Sequence, residues 1–269
     1  MADVVSRTAD RAGRYSPLVK SSFGNRAIAS LPFDNVRAGC KIEGILWSLV
    51  GGIMAILVID VGGTHLKFRL QDREEVRKTP SGAQMTPHEM IEKVRAETAD
   101  WTYDRVAIGF PAPVNEGTIQ KEPVNLGTGW VGFDFAAALG CEVKLINDAA
   151  MQALGSYEGG RMLFLGLGTG LGTAMISNRL VLPLELGHLP YRKGKSFEEY
   201  VGQAGMKRLG RRKWIQYVFD VAERLRAAFI ADYVVLGGGN VKKLDELPPF
   251  CRLGDNRNAF LGGLRLWDL

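Results

Sequence analysis

The pattern of apolar positions along this chain predicts buried strands that alternate with amphipathic helices. Short apolar runs bounded by turn residues are typical of strands that are buried on both faces. Such runs cover residues 56–60, 106–110, 162–167 and 233–236. Two of them enter glycine turns and are followed by second strands, at residues 65–70 and 173–176. Strands that alternate with helices predict an α/β fold with two layered sheets.

Helix starts are marked by capping signals. Thr86 and Ser196 are each followed three positions later by a glutamate, which is the spacing of a capping box. Asp134 and Asp255 are candidate N-caps. The predicted helices cover residues 86–98, 134–140, 148–154, 196–209, 211–231 and 256–267.

Glycine turns follow two of the strands, at residues 62–64 and 166–172. Glycines allow positive φ and close approach of a ligand to the backbone, and a run of N–H groups can line an anion site. One such turn alone fits either phosphate binding or a tight hairpin that binds nothing. Because the same strand–turn–strand unit occurs twice, the pair favours a phosphate chain gripped from both sides of a cleft.

Two common nucleotide-binding loops do not fit the second turn. Leu171 and Thr173 stand where the dinucleotide fingerprint needs its third glycine, and no helix pattern follows. Residues 194–196 resemble the end of a Walker A loop, but Leu189 stands where its first glycine would be.

Polar side chains stand close to these turns in the sequence. Asp60 ends the strand before the first turn and fits either a Mg²⁺ site reached through water or a plain turn aspartate. Lys67 fits either a phosphate contact or a surface lysine. Glu185 and His188 lie three positions apart in a loop, and such a pair is functional only if it faces the same cleft as Asp148.

Composition is that of a globular protein, with 46% hydrophobic and 23% charged residues. The three cysteines are scattered, which argues against a disulfide framework or a CxxC zinc site and fits a reducing cytosol. No segment is a convincing membrane span, so a cytoplasmic location without membrane contact is expected.

The net charge of +5 and the pI near 9.1 fit either a solvated basic surface or a polyanionic partner. Basic residues cluster late in the chain, with two glutamates among them. A solvated helix face is the default interpretation of this cluster, and a binding surface for a polyanion is the more specific hypothesis. The cluster comprises Arg192, Lys193, Lys195, Lys207, Arg208, Arg211, Arg212 and Lys213.

Residues 1–52 differ from the rest of the chain. They show no clear periodicity and lack the continuous apolar core of a signal peptide. Our hypothesis is that Met54 is the natural start and that the extension is untranslated or disordered. No helix-turn-helix pattern is present there, which disfavours DNA binding.

Seven ordered motifs between about residue 53 and the end resemble sugar kinases of the ROK family, within the actin-like ATPase fold, and are closest to the polyphosphate glucokinase branch. The motifs are DVGGTHLKF from Asp60, GFPAPVN from Gly109, NLGTGW from Asn125, INDAA from Ile146, GLGTGLGTA from Gly166, ELGH from Glu185 and VVLGGGN from Val234. The closing NAFLGGLRLW from Asn258 is also similar.

The resemblance implies two α/β domains around a cleft. Residues 53–145 would form a small domain with the first phosphate loop. Residues 146–269 would form a large domain with the catalytic aspartate and the second loop, and the last helix would pack back on the small domain. The implied activity moves a phosphoryl group from polyphosphate or ATP to the 6-hydroxyl of glucose. A strictly ATP-dependent kinase and a catalytically silent sugar sensor remain alternatives.

The resemblance also implies roles for single residues. Asp148 is the expected catalytic base, and hexose contacts are expected from Asn125, Asn147, Asp148, Glu185, His188 and Glu198. Donor contacts are expected from Asp60, Gly62, Gly63, Thr64, Lys67, Gly168, Thr169, Gly170, Gly172, Thr173, Gly238, Gly239 and Asn240. Mg²⁺ is expected with the donor.

Family members are often dimers, so a homodimer is expected as well. Zinc is not expected, because residues 189–196 hold no cysteine where the family carries a zinc motif. The hexose contacts must then be positioned by packing instead.

Overall fold

The computed structural model describes residues 55–269, whose main strands form two five-stranded sheets. The predictions for residues 1–52 and for a start at Met54 lie outside the described residues. In each sheet an antiparallel hairpin stands beside parallel strands, and helices alternate with the strands along the chain. The predicted α/β fold is confirmed.

The first sheet has the order β3-β2-β1-β4-β7. Its strands are β1 (Ile56–Val61), β2 (His65–Leu70), β3 (Arg77–Pro80), β4 (Arg105–Phe110) and β7 (Glu142–Asn147); β5 (Val114–Asn115) and β6 (Thr118–Ile119) form a separate pair. Strands β1, β4 and β7 are parallel, so their carboxyl ends meet at one edge of the sheet. Ligands of open α/β sheets bind at this kind of edge. Asp60 lies there at the end of β1, and Asp148 follows β7.

The second sheet has the order β10-β9-β8-β13-β14. Its strands are β8 (Arg161–Leu167), β9 (Leu171–Ser177), β10 (Leu180–Leu184), β13 (Tyr233–Gly237) and β14 (Cys251–Leu253); β11 (Pro190–Arg192) and β12 (Lys195–Ser196) form a separate hairpin. Strands β8 and β13 are parallel. The glycine turns that follow them, at residues 168–170 and 238–240, therefore lie side by side at one edge of this sheet.

Seven α-helices lie among the described residues. They are α1 (Pro87–Glu97), α2 (Phe135–Leu139), α3 (Asp148–Ser156), α4 (Phe197–Val201), α5 (Gln203–Leu209), α6 (Arg211–Ala228) and α7 (Asn258–Arg265). The capping boxes predicted at Thr86 and Ser196 are both formed. Among the described residues, no helix combines the length and the apolar character that a membrane crossing requires.

Three helix predictions need correction. The single helix predicted over residues 196–209 is wrong, because the chain breaks at Gly202 and the N–H of Gln203 bonds to the carbonyls of the second glycine turn. Helix α6 ends at Ala228, since Ile230 has a φ of 52°. Asp255 bonds to the N–H of Arg257 in the turn before α7 instead of capping the helix, which begins at Asn258.

Helix α7 packs closely on α3 and on β1, and glycines make the contact possible. A Cβ on Gly155 would lie 1.8 Å from the carbonyl oxygen of Asn258, and one on Gly262 would lie 1.7 Å from that of Met151. A Cβ on Gly263 would lie 2.3 Å from Val58 in β1. The close packing of α7 thus fixes the position of helix α3, which begins with Asp148.

Candidate active site

Asp148 is the first residue of α3 and lies half-buried where β7 ends. The preceding Asn147 caps the helix, because its Oδ1 accepts from the N–H of Ala150 at 3.1 Å. Its Nδ2 donates to the carbonyl of Ala112 at 3.2 Å. Asn147 therefore keeps one N–H and one lone pair for a ligand. The cap fixes the start of α3 and with it the position of the Asp148 carboxyl.

The electrostatic surroundings of Asp148 favour its neutral form. Burial raises its pKa from 3.8 to about 7, and the charges of Asp60 and, to a smaller extent, Glu185 act in the same direction. The N–H of Ala149, 2.8 Å from Oδ1, partly opposes them. Asp60 is the next-to-last residue of β1 and Glu185 follows β10, so both sheets contribute charge to one carboxyl group. A carboxyl with a pKa near neutrality is suited to accept a proton at physiological pH.

The first glycine turn carries an ion pair at its base. Asp60 and Lys67 are register partners on β1 and β2, and the Lys67 Nζ lies 2.7 Å from the Asp60 Oδ2. The Asp60 side chain is 16% exposed, whereas Gly63 and Thr64 are open to solvent. Asn125 belongs to the same region, since a Cβ on Gly63 would lie 3.1 Å from its Cβ.

Hydrogen bonds to backbone carbonyls hold the second glycine turn against its neighbours. The carbonyl of Gly168 accepts from the Asn240 Nδ2 at 3.0 Å and from the N–H of Gln203 at 3.1 Å. The N–H of Asn240 in turn bonds to the carbonyl of Leu167 at 3.0 Å. Gly238, with a φ of 83°, allows this close approach. The predicted donor loops at residues 168–173 and 238–240 therefore form one connected surface.

The strand leaving the second turn touches α3 beside Asp148. A Cβ on Gly172 would lie 2.8 Å from the Cβ of Ala149. The hydroxyl of Thr173 is buried; it donates to the carbonyl of Leu184 at 2.7 Å and accepts from the N–H of Leu186 at 3.1 Å. Thr173 thus holds the backbone on both sides of Glu185, while its assignment as a donor contact stays a prediction.

Glu185, His188 and Glu198 form a short chain of polar groups. The His188 Nε2 lies 3.4 Å from a Glu185 oxygen, and its Nδ1 lies 3.5 Å from a Glu198 oxygen. The pKa of Glu185 is raised, mainly by burial and also by the Glu198 charge. Glu198 reaches the second turn, because a Cβ on Gly170 would lie 2.5 Å from its Oε2. The charge of Glu185 acts on Asp148, so the pair has an electrostatic link to that carboxyl, and its role in hexose binding stays a prediction.

The sequence analysis did not predict two residues that lie beside the site. The positive charge of Lys121 lowers the pKa of Glu185, so this loop residue lies close to the carboxylate. The backbone of Gln203 bonds to the second turn, as described above. The only sequence signal for Lys121 is its place four residues before Asn125, and Gln203 has none because its contribution comes from the main chain.

Few of the described side chains are placed to bind a metal ion. No cluster of three or more His, Cys, Asp or Glu side chains that could hold a metal occurs among residues 55–269. Mg²⁺ commonly uses one or two carboxylates and completes its shell with water and substrate phosphates. Asp60 and Asp148 raise the negative potential between them, which a divalent cation would relieve. The residues present therefore fit a Mg²⁺ ion that arrives with a phosphate donor.

Comparison with solved structures defines the class of fold. The inorganic polyphosphate/ATP-glucomannokinase of Arthrobacter sp. strain KM superposes with a TM-score of 0.66 at 25% identity, over 78% of this chain and 97% of that one. A ROK family glucokinase from Streptomyces griseus, solved with glucose and AMPPNP, gives a TM-score of 0.61 at 15% identity, over 79% of this chain and 98% of that one. The fold is the actin-like ATPase fold of the ROK sugar kinases.

The sequence comparisons name the family. The model of the ROK family matches residues 56–197, and the chain belongs to this family. A curated relative, the polyphosphate glucokinase of Mycobacterium tuberculosis strain H37Rv, is 27% identical over 213 residues, which cover 71% of this chain and 80% of the relative. The predicted resemblance is confirmed.

Proposed function

We propose that this protein is a hexose kinase that moves a phosphoryl group from polyphosphate or ATP to the 6-hydroxyl of glucose. Membership of the ROK family and the relatives named above support kinase chemistry. The observation that carries the proposal is the setting of Asp148. A half-buried carboxyl with a raised pKa lies within the electrostatic reach of Asp60 from the first sheet and Glu185 from the second.

Asp148 is the general base in this mechanism. As the bond between the sugar oxygen and phosphorus forms, the bridging P–O bond of the donor breaks and the hydroxyl proton passes to the carboxylate. Only the ionised carboxyl accepts this proton, and a pKa near 7 leaves a large ionised fraction at neutral pH. Acid–base catalysis of this kind contributes about 10²–10⁴-fold to the rate.

The polar chain of Glu185, His188 and Glu198 is the proposed hexose-binding surface. Two carboxylates accept from sugar hydroxyls, and the imidazole between them donates or accepts. Their mutual contacts at 3.4 and 3.5 Å orient the three side chains before the sugar arrives. Orientation of this kind lowers the entropic cost of binding.

The glycine turns at 62–64, 168–172 and 238–240 are the proposed donor site. Phosphoryl transfer needs alignment and charge neutralisation more than covalent chemistry. Asp60 would hold Mg²⁺, and the ion would supply positive charge to the donor phosphates. Lys67 lies at the base of the first turn and supplies a further positive charge there.

Basic residues beside the second turn support polyphosphate as a donor. Helix α5 begins at Gln203, whose N–H bonds to this turn, and the Arg211 Nε donates to the carbonyl of Lys243 at 2.9 Å. The start of α6 and the segment after residues 238–240 therefore lie together. Within residues 55–269, the exposed cations Lys207, Arg212, Lys213 and Lys242 have no carboxylate partner within ion-pair distance. A polyanion gains from each phosphate that such cations neutralise.

A coupled assay across hexoses with both donors tests the proposal. We expect glucose 6-phosphate formation with wild-type protein and Mg²⁺. We also expect the KM for long-chain polyphosphate to rise more steeply with salt than the KM for ATP, since more ion pairs are screened. Absence of transfer to any hexose from either donor would refute the kinase proposal, and transfer from ATP alone would refute the polyphosphate part.

A further inference from the structure

The hairpin β11–β12 joins the two ends of the proposed hexose-binding surface. His188 lies two residues before β11, and Glu198 lies two residues after β12. The hairpin is closed at its base by a bond of 3.1 Å from the N–H of Phe197 to the carbonyl of Leu189. Its tip turns through Lys193 and Gly194, with φ values of 51° and 71°. A tilt of this hairpin would change how His188 and Glu198 face a bound sugar.

An aromatic cluster holds the hairpin against the helices. The Tyr191 ring in β11 lies 5.0 Å from the rings of Phe197 and Tyr200 and 6.2 Å from that of Tyr217 in α6. Tyr200 and Tyr217 are 4.8 Å apart. The contacts of Tyr191 with Tyr200 and Tyr217 are edge-to-face, which is a preferred arrangement of aromatic rings. The packing therefore limits the orientation of the Tyr191 ring.

A hydrogen bond to Asp220 fixes the outer end of the Tyr191 side chain. Its hydroxyl donates to the carboxylate of Asp220 in α6. The same carboxylate accepts from the Arg224 Nε at 2.7 Å and lies 3.3 Å from the Arg192 guanidinium. The Arg224 hydrogen bond is the main cause of the lowered pKa of Asp220, and burial raises the pKa of Tyr191 to about 12. A neutral phenol thus donates to a charged acceptor, which is the stronger kind of hydrogen bond.

We infer that Tyr191 and Asp220 are a positioning pair, which sets the angle of the β11–β12 hairpin and so the placement of His188 and Glu198 toward the hexose. Residues 189–196 contain no cysteine, so thiolate–metal bonds cannot brace this segment. The phenol–carboxylate bond and the aromatic cluster provide the brace instead. The inference rests on the proposed function, because it assigns the pair to the hexose end of that site.

Steady-state kinetics of matched variants test the inference. Tyr191→Phe keeps the ring and removes the hydroxyl, and Asp220→Asn keeps the shape and removes the charge. We expect each to raise the hexose KM roughly tenfold, in line with the loss of a hydrogen bond to a charged group. The donor KM and the kcat at saturating hexose should stay within about twofold.

The double variant and a control separate positioning from general stability. Because Tyr191→Phe removes the bond that Asp220→Asn weakens, the double variant should raise the hexose KM no more than the larger of the two single changes. Tyr233→Phe is the control, since it removes another partnered phenol hydroxyl, which accepts from the N–H of Glu158 at 3.1 Å at the far end of β13. It should leave the hexose KM unchanged, and thermal unfolding of each variant checks its folding.

Three results would overturn the inference. The first is a hexose KM within twofold of wild type in both single variants, whatever their unfolding temperatures. The second is an equal rise of the hexose and donor KM values. The third is an additive double variant. If the wild-type protein itself transfers no phosphoryl group, the proposed function fails, and the inference fails with it.

Discussion

The first and second glycine turns share one strand–turn–strand design but differ in what surrounds them. The first leaves Gly63 and Thr64 open to solvent above the Asp60–Lys67 ion pair. The second is tied down, through hydrogen bonds from Asn240 and Gln203. The two turns therefore share a backbone design but differ in their chemistry. The first places the charge of Asp60 near Asp148, and the second provides a backbone surface that hydrogen bonds hold in place.

Glu198 extends this difference to the hexose end of the site. Its side chain lies against Gly170 of the second turn and also contacts His188. Glu198 therefore joins the second turn to the polar cluster of Glu185, His188 and Glu198. The first turn has a different link, through the effect of Asp60 on the pKa of Asp148. In addition to their effects on the phosphoryl donor, changes near the first turn should therefore alter proton transfer, and changes in the second should alter hexose binding.

The largest expected effect follows from replacing Asp148 by Asn. Without a carboxylate to accept the proton, we expect kcat to fall by about 10²–10⁴-fold while the fold is retained. Asp134→Asn is the matched control, because Asp134 also stands at the start of a helix and asparagine caps equally well. Wild-type-like turnover by Asp148→Asn would remove this residue from the mechanism.

A smaller effect is expected from Gly170→Ala in the second turn. The new Cβ would lie 2.5 Å from the Glu198 Oε2, so this flexible carboxylate must move away from His188. We expect the hexose KM to rise about tenfold, the cost of roughly one such interaction. Gly168→Ala is the comparison, since its Cβ would meet no atom within 4 Å. Equal hexose KM values for the two variants would break the proposed link between the second turn and the sugar.

Much of the fold could be predicted because its signals are local. The capping boxes at Thr86 and Ser196 and the apolar runs before the glycine turns all formed as predicted. The break at Gly202 could not be predicted, since the N–H of Gln203 is taken by a turn more than thirty residues earlier. The motifs likewise indicated Asp148, but the charge of Lys121 beside Glu185 depends on tertiary contact.

The pH dependence of stability offers a smaller effect that tests the first turn. The folded-state pKa of Asp148 lies above its ordinary value of 3.8, so its contribution to stability is fully present below about pH 4 and is lost as the pH rises through 7. Asparagine carries no charge, so the Asp148→Asn variant does not lose this stability as the pH rises. We expect Asp148→Asn to gain about 1–2 kcal/mol relative to wild type between pH 4 and 8, after allowance for residual exposure.

Chemical denaturation of both proteins across this pH range measures the difference. A gain that grows with pH supports the burial of an uncompensated carboxyl beside Asp60. A constant difference between pH 4 and 8 would mean that the carboxyl titrates as it does in water.

The most direct test is an NMR titration of the Asp148 carboxyl carbon, in wild-type protein and in Asp60→Asn. The account predicts a pKa of about 7 in the free wild-type protein and a lower value once the Asp60 charge is removed. A pKa near 4 in wild type, or a value that does not respond to Asp60→Asn, would contradict the claim that the first glycine turn and Asp148 share one site.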